Sequence, residues 1–285
     1  MSALANSERR RKGVGIARGS VLFISAHIEP AHENYGMYRP KIDPPPDYDL
    51  NRLIETAGGW TRQFFCREIV DAASEDRVYP ADPAELSAIV VGGSLHFWSA
   101  ARGPLAAWQE ELVSFVGKSI LEWDLGYLGL CAGGQIGLRA LGGMVEPNPP
   151  GSGSVADTLA GNVLVRTGEL VLTEDGLDDP VFWGCPPRFS IQESHGDYLA
   201  VLPEDMTVLG ESTDLPNQAL GWHDRVRLFQ PHPELSLSLM RRVFHELAGR
   251  ANSPAERRRL EQISAQLRET RAANELIVPN FLRML

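Results

Sequence analysis

The stretch GYLGLCAGGQIGLRALGG, residues 126–143, carries the strongest structural signal in the chain. Its first five residues form a short apolar run typical of a buried strand. The part that follows has the pattern of a helix closed by Gly142 and Gly143. Cys131 lies between them, where a tight strand–turn–helix connection would hold its side chain clear of the backbone at a helix N-terminus. Cys131 is therefore either a nucleophile presented on such a turn or a small buried core residue.

The segments before this stretch repeat the alternation of strand and helix. Compact apolar runs predict strands at residues 19–27, 61–70 and 86–93, and helical spacing of apolar residues predicts a helix at 103–123. Strands that alternate with helices are typical of a mostly parallel sheet with helices on both faces. The sequence therefore predicts an α/β fold of that kind.

The second half of the chain has a different sequence pattern. Residues 151–228 consist of short strand-like runs and turns, which predicts a small antiparallel segment. Ser253, Pro254 and Glu256 form the start signal of a helical C-terminal extension. We therefore expect a flexible N-terminal segment over 1–18, an α/β domain over 19–250 and the extension over 251–285.

Composition excludes several function classes. The 285-residue chain has a formal net charge of −10, which argues against a nucleic-acid partner or an anionic membrane surface. No apolar run is long enough to cross a bilayer. The three cysteines, Cys66, Cys131 and Cys185, are spaced neither as a disulfide framework nor as a zinc site. We therefore expect a cytoplasmic protein without a metal or a cofactor.

A cysteine nucleophile needs a base, and the stretch QPHPE at residues 230–234 offers one. His232 follows an apolar run and is flanked by Pro231 and Pro233, which restrict the backbone on both sides. Glu234 lies where its carboxylate could orient the imidazole. Taken alone, a histidine in a Pro-rich turn is more often a polar turn residue.

Together, four motifs in the same order resemble the class I glutamine amidotransferase family, in its GMP-synthetase-like branch. GLCAGGQ at residues 129–135 resembles its nucleophile elbow, and QPHPE at 230–234 resembles its histidine motif. IVVGGS at 89–94 is similar to its oxyanion loop, and SHGD at 194–197 to its glutamine-binding segment. The resemblance spans roughly residues 19–250 and implies a flavodoxin-like α/β fold.

The resemblance also implies roles for individual residues. Cys131 would attack the γ-amide carbon of glutamine, His232 would move the protons, and Glu234 would orient His232. The backbone N–H groups of Gly93 and Ala132 would hold the oxyanion. The amino-acid end of the substrate would be bound by Gln135 and by the backbone around Ser194, His195, Gly196 and Asp197.

Two departures from the family pattern leave the substrate open. The Gly-Gly loop continues as SLHFWSA, residues 94–100, instead of with proline, and Pro231 replaces an aromatic residue. A Pro-rich stretch at residues 35–48 has no counterpart in the family.

Three functions therefore stay open. The chain could be a glutaminase that supplies ammonia to a synthetase on a separate polypeptide. It could be a stand-alone amidase acting on a γ-glutamyl amide, hydrazide or peptide, or it could be a silent binding subunit. The sequence shows no Walker-type phosphate loop and no ATP-pyrophosphatase signature, so an acceptor site is expected on another chain. A homodimer is also possible.

Overall fold

The computed structural model describes residues 19–26, 64–72, 77–81, 83, 86–94, 96–149, 164–249, 251 and 253–285. Three expectations fall outside these residues. They are the flexible segment at 1–18, the Pro-rich stretch at 35–48 and the stretch DLNRLIETAGG at 49–59, whose sequence predicts a short helix.

The described residues form eleven strands and six α-helices. The strands are β1 (Gly19–Ser25), β2 (Phe64–Asp71), β3 (Leu86–Val91), β4 (Gly126–Leu130), β5 (Met144–Pro147), β6 (Leu164–Leu172), β7 (Arg188–His195), β8 (Asp197–Val201), β9 (Met206–Glu211), β10 (Ala219–Trp222) and β11 (Val226–Phe229). The helices are α1 (Ala107–Leu121), α2 (Ala132–Ala140), α3 (Glu174–Asp178), α4 (Leu237–Gly249), α5 (Pro254–Gln266) and α6 (Arg271–Met284). None of these helices combines the length and apolar character needed to span a bilayer.

Nine strands form one sheet in the order β2-β1-β3-β4-β11-β10-β9-β6-β7. The first five in this order pair in parallel, and β11 and the strands beyond it pair antiparallel. Strands β5 and β8 form a separate antiparallel pair. The predicted fold class is therefore confirmed, with antiparallel strands extending the parallel sheet and also forming a small sheet beside it.

The parallel strands bury both of their faces, because the apolar side chains of each strand alternate between two cores. One core lies under α1 and α2, and it includes Leu22, Ile24, Ile89, Val91 and Tyr127. The other core lies under α6, and it includes Val21, Phe23, Leu128, Leu130, Ile277 and Phe281. Helices therefore cover both faces, and the last helix of the chain supplies one of the two covers.

The predicted helical C-terminal extension contains two helices, α5 and α6. Ser253 caps α5 as predicted, since its hydroxyl accepts the N–H of Glu256 at 3.1 Å. The chain leaves the helix after Gln266 and makes tertiary hydrogen bonds instead. The N–H of Arg268 donates to Thr167 Oγ1 at 2.8 Å, and Nε2 of Gln192 donates to the Arg268 carbonyl at 3.0 Å. These bonds replace the helical ones and separate α5 from α6.

The antiparallel half of the sheet curls back toward its start. His232, three residues after β11, makes an isolated antiparallel bridge with Gln192 of β7, and its N–H donates to the Gln192 carbonyl at 2.7 Å. Strand β7 lies at one edge of the nine-stranded sheet, and this bridge joins it to the segment that follows β11.

Candidate active site

Cys131 lies on a strained turn between β4 and α2. Its backbone has φ 54° and ψ −107°, a region that side-chain-bearing residues rarely adopt and that costs on the order of 1–3 kcal/mol. Hydrogen bonds hold the turn on both sides. The Cys131 N–H donates to the Phe229 carbonyl at 2.7 Å, and the Gln135 N–H donates to the Cys131 carbonyl at 3.1 Å. The predicted strand–turn–helix geometry is therefore present at Cys131.

The glycines around Cys131 are required by close backbone approaches. A Cβ on Gly133 would lie 2.0 Å from the carbonyl oxygen of Val91, and one on Gly129 would lie 2.4 Å from the Gly133 carbonyl oxygen. Real Cβ atoms do not come so near to backbone atoms. Strands β3 and β4 can therefore approach the first turn of α2 this closely only because these positions have no side chain.

His232 and Glu234 follow β11, the parallel neighbour of β4. The imidazole Nδ1 lies 2.6 Å from Glu234 Oε1, and both side chains are buried. The antiparallel bridge to Gln192 fixes the histidine backbone. Because β4 and β11 are adjacent and parallel, their carboxyl ends bring the cysteine and histidine segments to the same edge of the sheet.

The environment of His232 favours its protonated form. Burial alone would lower the pKa of this imidazole. The interactions with Cys131 and Glu234 outweigh burial and raise its pKa well above the usual value. Such a pairing is what a thiolate–imidazolium couple requires.

The backbone carbonyl of Ser194 joins the cysteine and the histidine. Cys131 Sγ lies 3.5 Å from this oxygen and donates to it, and His232 Nε2 lies 3.3 Å from it. The side-chain amide of Gln230 approaches Cys131 Sγ at 4.0 Å. The SHGD segment thus contacts both Cys131 and His232 through its first carbonyl group.

Gly93 and Ala132 lie beside these atoms. A Cβ on Gly93 would lie 3.1 Å from His232 Cε1, so the loop after β3 packs directly against the imidazole. The Gly133 N–H donates to the Gly92 carbonyl at 3.1 Å and ties this loop to the start of α2. Ala132 is the first residue of α2, where a backbone N–H has no acceptor within the helix. Their role as oxyanion donors stays a prediction.

Gln135 is buried one turn into α2. Its Nε2 donates to the Asp197 carbonyl at 3.0 Å and to Gln230 Oε1 at 3.2 Å. The side chain therefore links α2, the SHGD segment and the QPHPE segment. This contact is compatible with the predicted substrate-binding role and does not test it.

The buried carboxylate of Asp197 accepts three hydrogen bonds from the protein itself. Oδ2 accepts the backbone N–H groups of Trp98 and Ser99 at 2.9 and 3.1 Å, and Oδ1 accepts Nε of Arg102 at 2.6 Å. Arg102 also donates to the Gly196 carbonyl at 2.8 Å. Asp197 thus holds the unusual loop after the two glycines against the SHGD segment.

His195 is also buried, and its ring nitrogen Nδ1 contacts two oxygen atoms of the protein. Its Nδ1 lies 3.0 Å from the Asp197 carbonyl oxygen and 3.3 Å from Asn148 Oδ1. Burial, together with the nearby His232, lowers the pKa of His195 to about 3. This histidine is therefore neutral at physiological pH.

The sequence interpretation did not single out Arg102 and Asn148. Arg102 lies 95 positions from its partner Asp197, so no local spacing connects them. Asn148 donates to the carbonyl of His195 through its side chain and to that of Gly196 through its backbone. It lies at the end of β5, just before a run of proline and glycine that reads as an ordinary loop. In the described residues, no cluster of three or more potential metal ligands is present.

The chain is similar in sequence to known glutamine-hydrolyzing enzymes over part of their length. No family model matches the chain. The glutamine-hydrolyzing GMP synthase of Thermosipho africanus is 32% identical over 165 residues, which cover 58% of this chain and 26% of that protein. The chain thus spans about a quarter of the length of the first curated relatives it matches.

Solved structures share the fold over nearly the whole chain. A glutamine amidotransferase from Methylobacillus flagellatus has a TM-score of 0.60 at 18% identity, covering 95% of this chain and 96% of that one. A glutamine amidotransferase from Thermotoga maritima has a TM-score of 0.58 at 18% identity, covering 94% and 98%. This chain is therefore similar in sequence to part of glutamine-hydrolyzing GMP synthases, and it shares its fold with glutamine amidotransferases of known structure.

Proposed function

We propose that this protein hydrolyses the γ-amide of glutamine through a thioester on Cys131, releasing glutamate and ammonia for a separate synthetase. The observation that carries the proposal is the buried group formed by the strained Cys131, His232 and Glu234. Sequence similarity to GMP synthases named as glutamine-hydrolyzing supports glutamine as the amide, in preference to another γ-glutamyl compound.

The first half of the reaction forms the thioester. In the thiolate–imidazolium pair His232 holds the proton of the Cys131 thiol, and the sulfur attacks the γ-carboxamide carbon of glutamine. The carbonyl oxygen becomes an oxyanion, which accepts hydrogen bonds from the backbone N–H groups of Gly93 and Ala132. His232 then returns the proton to the departing nitrogen, the carbon–nitrogen bond breaks, and ammonia leaves.

The second half releases glutamate. His232 removes a proton from a water molecule, whose oxygen attacks the thioester carbon. The carbon–sulfur bond breaks, the γ-carboxylate forms, and the Cys131 sulfur regains a proton. Glu234 holds the imidazolium in both halves through the 2.6 Å contact with Nδ1. Gln135 and the backbone of Ser194, His195, Gly196 and Asp197 would bind the amino-acid end of the substrate.

The released ammonia implies a partner. The GMP synthases that this chain resembles are several times longer than the matched region, so they contain further sequence beside it. We infer that an ATP-dependent synthetase accepts the ammonia made here. A reducing compartment such as the cytoplasm would keep the Cys131 thiol available for the reaction.

The test is ammonia release from L-glutamine by the purified protein, with and without Cys131→Ala. Cys185→Ala is the matched control, because Cys185 is a second free cysteine and its half-buried thiol has a pKa raised by burial to about 11. We expect the Cys131 variant to be inactive and the Cys185 variant to keep the wild-type rate. Equal ammonia release by wild type and Cys131→Ala would refute the mechanism.

A further inference from the structure

Helix α6 contacts the segment that carries His232 and Glu234. The side-chain amide of Asn274 donates from Nδ2 to the carbonyl of Pro233 at 2.6 Å and to the carbonyl of Leu235 at 3.1 Å. These carbonyls belong to the residues on either side of Glu234. One side chain of the C-terminal extension therefore fixes the backbone both before and after the buried carboxylate.

The orientation of Asn274 is itself determined. The hydroxyl of Thr270 donates to Asn274 Oδ1 at 2.6 Å, so the amide nitrogen faces the two carbonyls. Thr270 is almost completely buried, and it begins the helix that covers the second core. The contact is thus built into the packing of α6.

A second connection runs from the same extension to His232. The Arg268 carbonyl accepts Nε2 of Gln192 at 3.0 Å, and the Gln192 backbone carbonyl accepts the N–H of His232 at 2.7 Å. Thr167 holds the other end of the Gln192 amide, since its hydroxyl donates to Oε1 at 3.1 Å. Residues 268–274 therefore contact the supports of both His232 and Glu234.

The carboxylate of Glu234 depends on this backbone support. Its Oε1 contacts His232, whereas its Oε2 is buried and has no hydrogen-bond partner among the described residues. A carboxylate fixed by one hydrogen bond takes its position mainly from its own main chain. Small movements of residues 233–235 would therefore change the contact with the imidazole.

We infer that Asn274 is a positioning residue of the active site and that the C-terminal extension completes the Cys131–His232–Glu234 group. This inference rests on the proposed function and deepens it. The extension then helps to position His232 and Glu234, and its removal should lower the rate of the reaction. A purely structural role would instead affect stability and leave the ionisation of the reactive pair unchanged.

The same helix offers a matched control. Asn280 donates from Nδ2 to the carbonyls of Val181 and Trp183 at 3.1 and 2.8 Å, again two positions apart. It makes the same kind of contact as Asn274, but to a 3-10 turn at Pro180–Phe182. Asn280→Ala should therefore remove comparable hydrogen bonds without affecting Glu234.

The experiment measures two properties of the full-length wild type, Asn274→Ala, Thr270→Val and Asn280→Ala. The first is the pH dependence of iodoacetamide alkylation at Cys131, followed by mass spectrometry of the peptide that contains it. The second is kcat and KM for L-glutamine. For Asn274→Ala we expect the alkylation midpoint to move to higher pH, because a poorly held Glu234 stabilises the imidazolium less. We also expect kcat to fall on the order of tenfold or more, with KM nearly unchanged.

Thr270→Val should change the same properties in the same direction by a smaller amount, and Asn280→Ala should leave both at wild-type values. The inference is overturned if Asn274→Ala keeps the wild-type alkylation profile, or if Asn280→Ala shifts it equally. If Asn274→Ala does not fold, a wild-type profile for Thr270→Val overturns it. Absence of glutaminase activity would count against the proposed function alone, since alkylation needs no substrate.

Discussion

Replacing Glu234 with glutamine tests the charge beside His232. The substitution keeps the size of the side chain and an acceptor oxygen, and it removes the negative charge 2.6 Å from Nδ1. Both side chains are buried, where a hydrogen bond to a charged group contributes about 1.5–3 kcal/mol. If the rate-limiting step depends on the imidazolium, kcat/KM should fall by about 10- to 150-fold.

The direction of the pH effect follows from the same contact. Glu234 raises the pKa of His232, so the variant should have a lower pKa there and should lose activity at a lower pH on the alkaline side. The assay is ammonia release from L-glutamine across the pH range. Glu193→Gln is the control, because it removes another buried carboxylate, one that is paired with Arg166. A folded Glu234→Gln protein with unchanged kcat/KM and an unchanged alkaline limb would refute the assignment.

Three further predictions concern the surroundings of the site. Gly133→Ala should lower both Tm and activity, because its Cβ would lie 2.0 Å from the Val91 carbonyl oxygen; a thermal melt and the ammonia assay check this. Asp197→Ala should cost about 3 kcal/mol or more in urea unfolding, because it leaves Nε of Arg102 and two buried N–H groups without an acceptor; a stability equal to wild type would contradict this. For His195, the folded pKa of about 3 lies below the unfolded value near 6.5, so its contribution to wild-type stability should fall by about 3 kcal/mol between pH 6.5 and 4. His195→Asn should make the urea midpoint less dependent on pH over that window, and an unchanged dependence would show that another group is responsible.

The elbow could be predicted because its signal is local. A five-residue apolar run, a cysteine and closely spaced glycines specify a strand, a turn and a helix within residues 126–143. The parallel arrangement followed from the alternation of such units. The structure adds the cause of two of these glycines, which the sequence does not identify: a Cβ on Gly133 would meet the backbone of β3, and one on Gly129 would meet the backbone of α2.

The remaining features depend on contacts between distant residues. The helical pattern of the extension continues through Leu267, yet α5 stops there because Thr167 and Gln192 supply competing hydrogen bonds. The pairing of Asp197 with Arg102 likewise joins residues 95 positions apart. Local sequence patterns do not record which distant residues come into contact, so these features could be identified only from the folded structure.

The bridge between His232 and Gln192 also has a consequence for how the protein exchanges amide hydrogen with solvent. Strands β11, β10, β9, β6 and β7 follow one another, and this single bridge joins the last of them to the end of the first. The His232 N–H can exchange with deuterium only when that junction separates. Its exchange rate therefore measures how often the His232 segment separates from Gln192, in the intact protein and without any substrate.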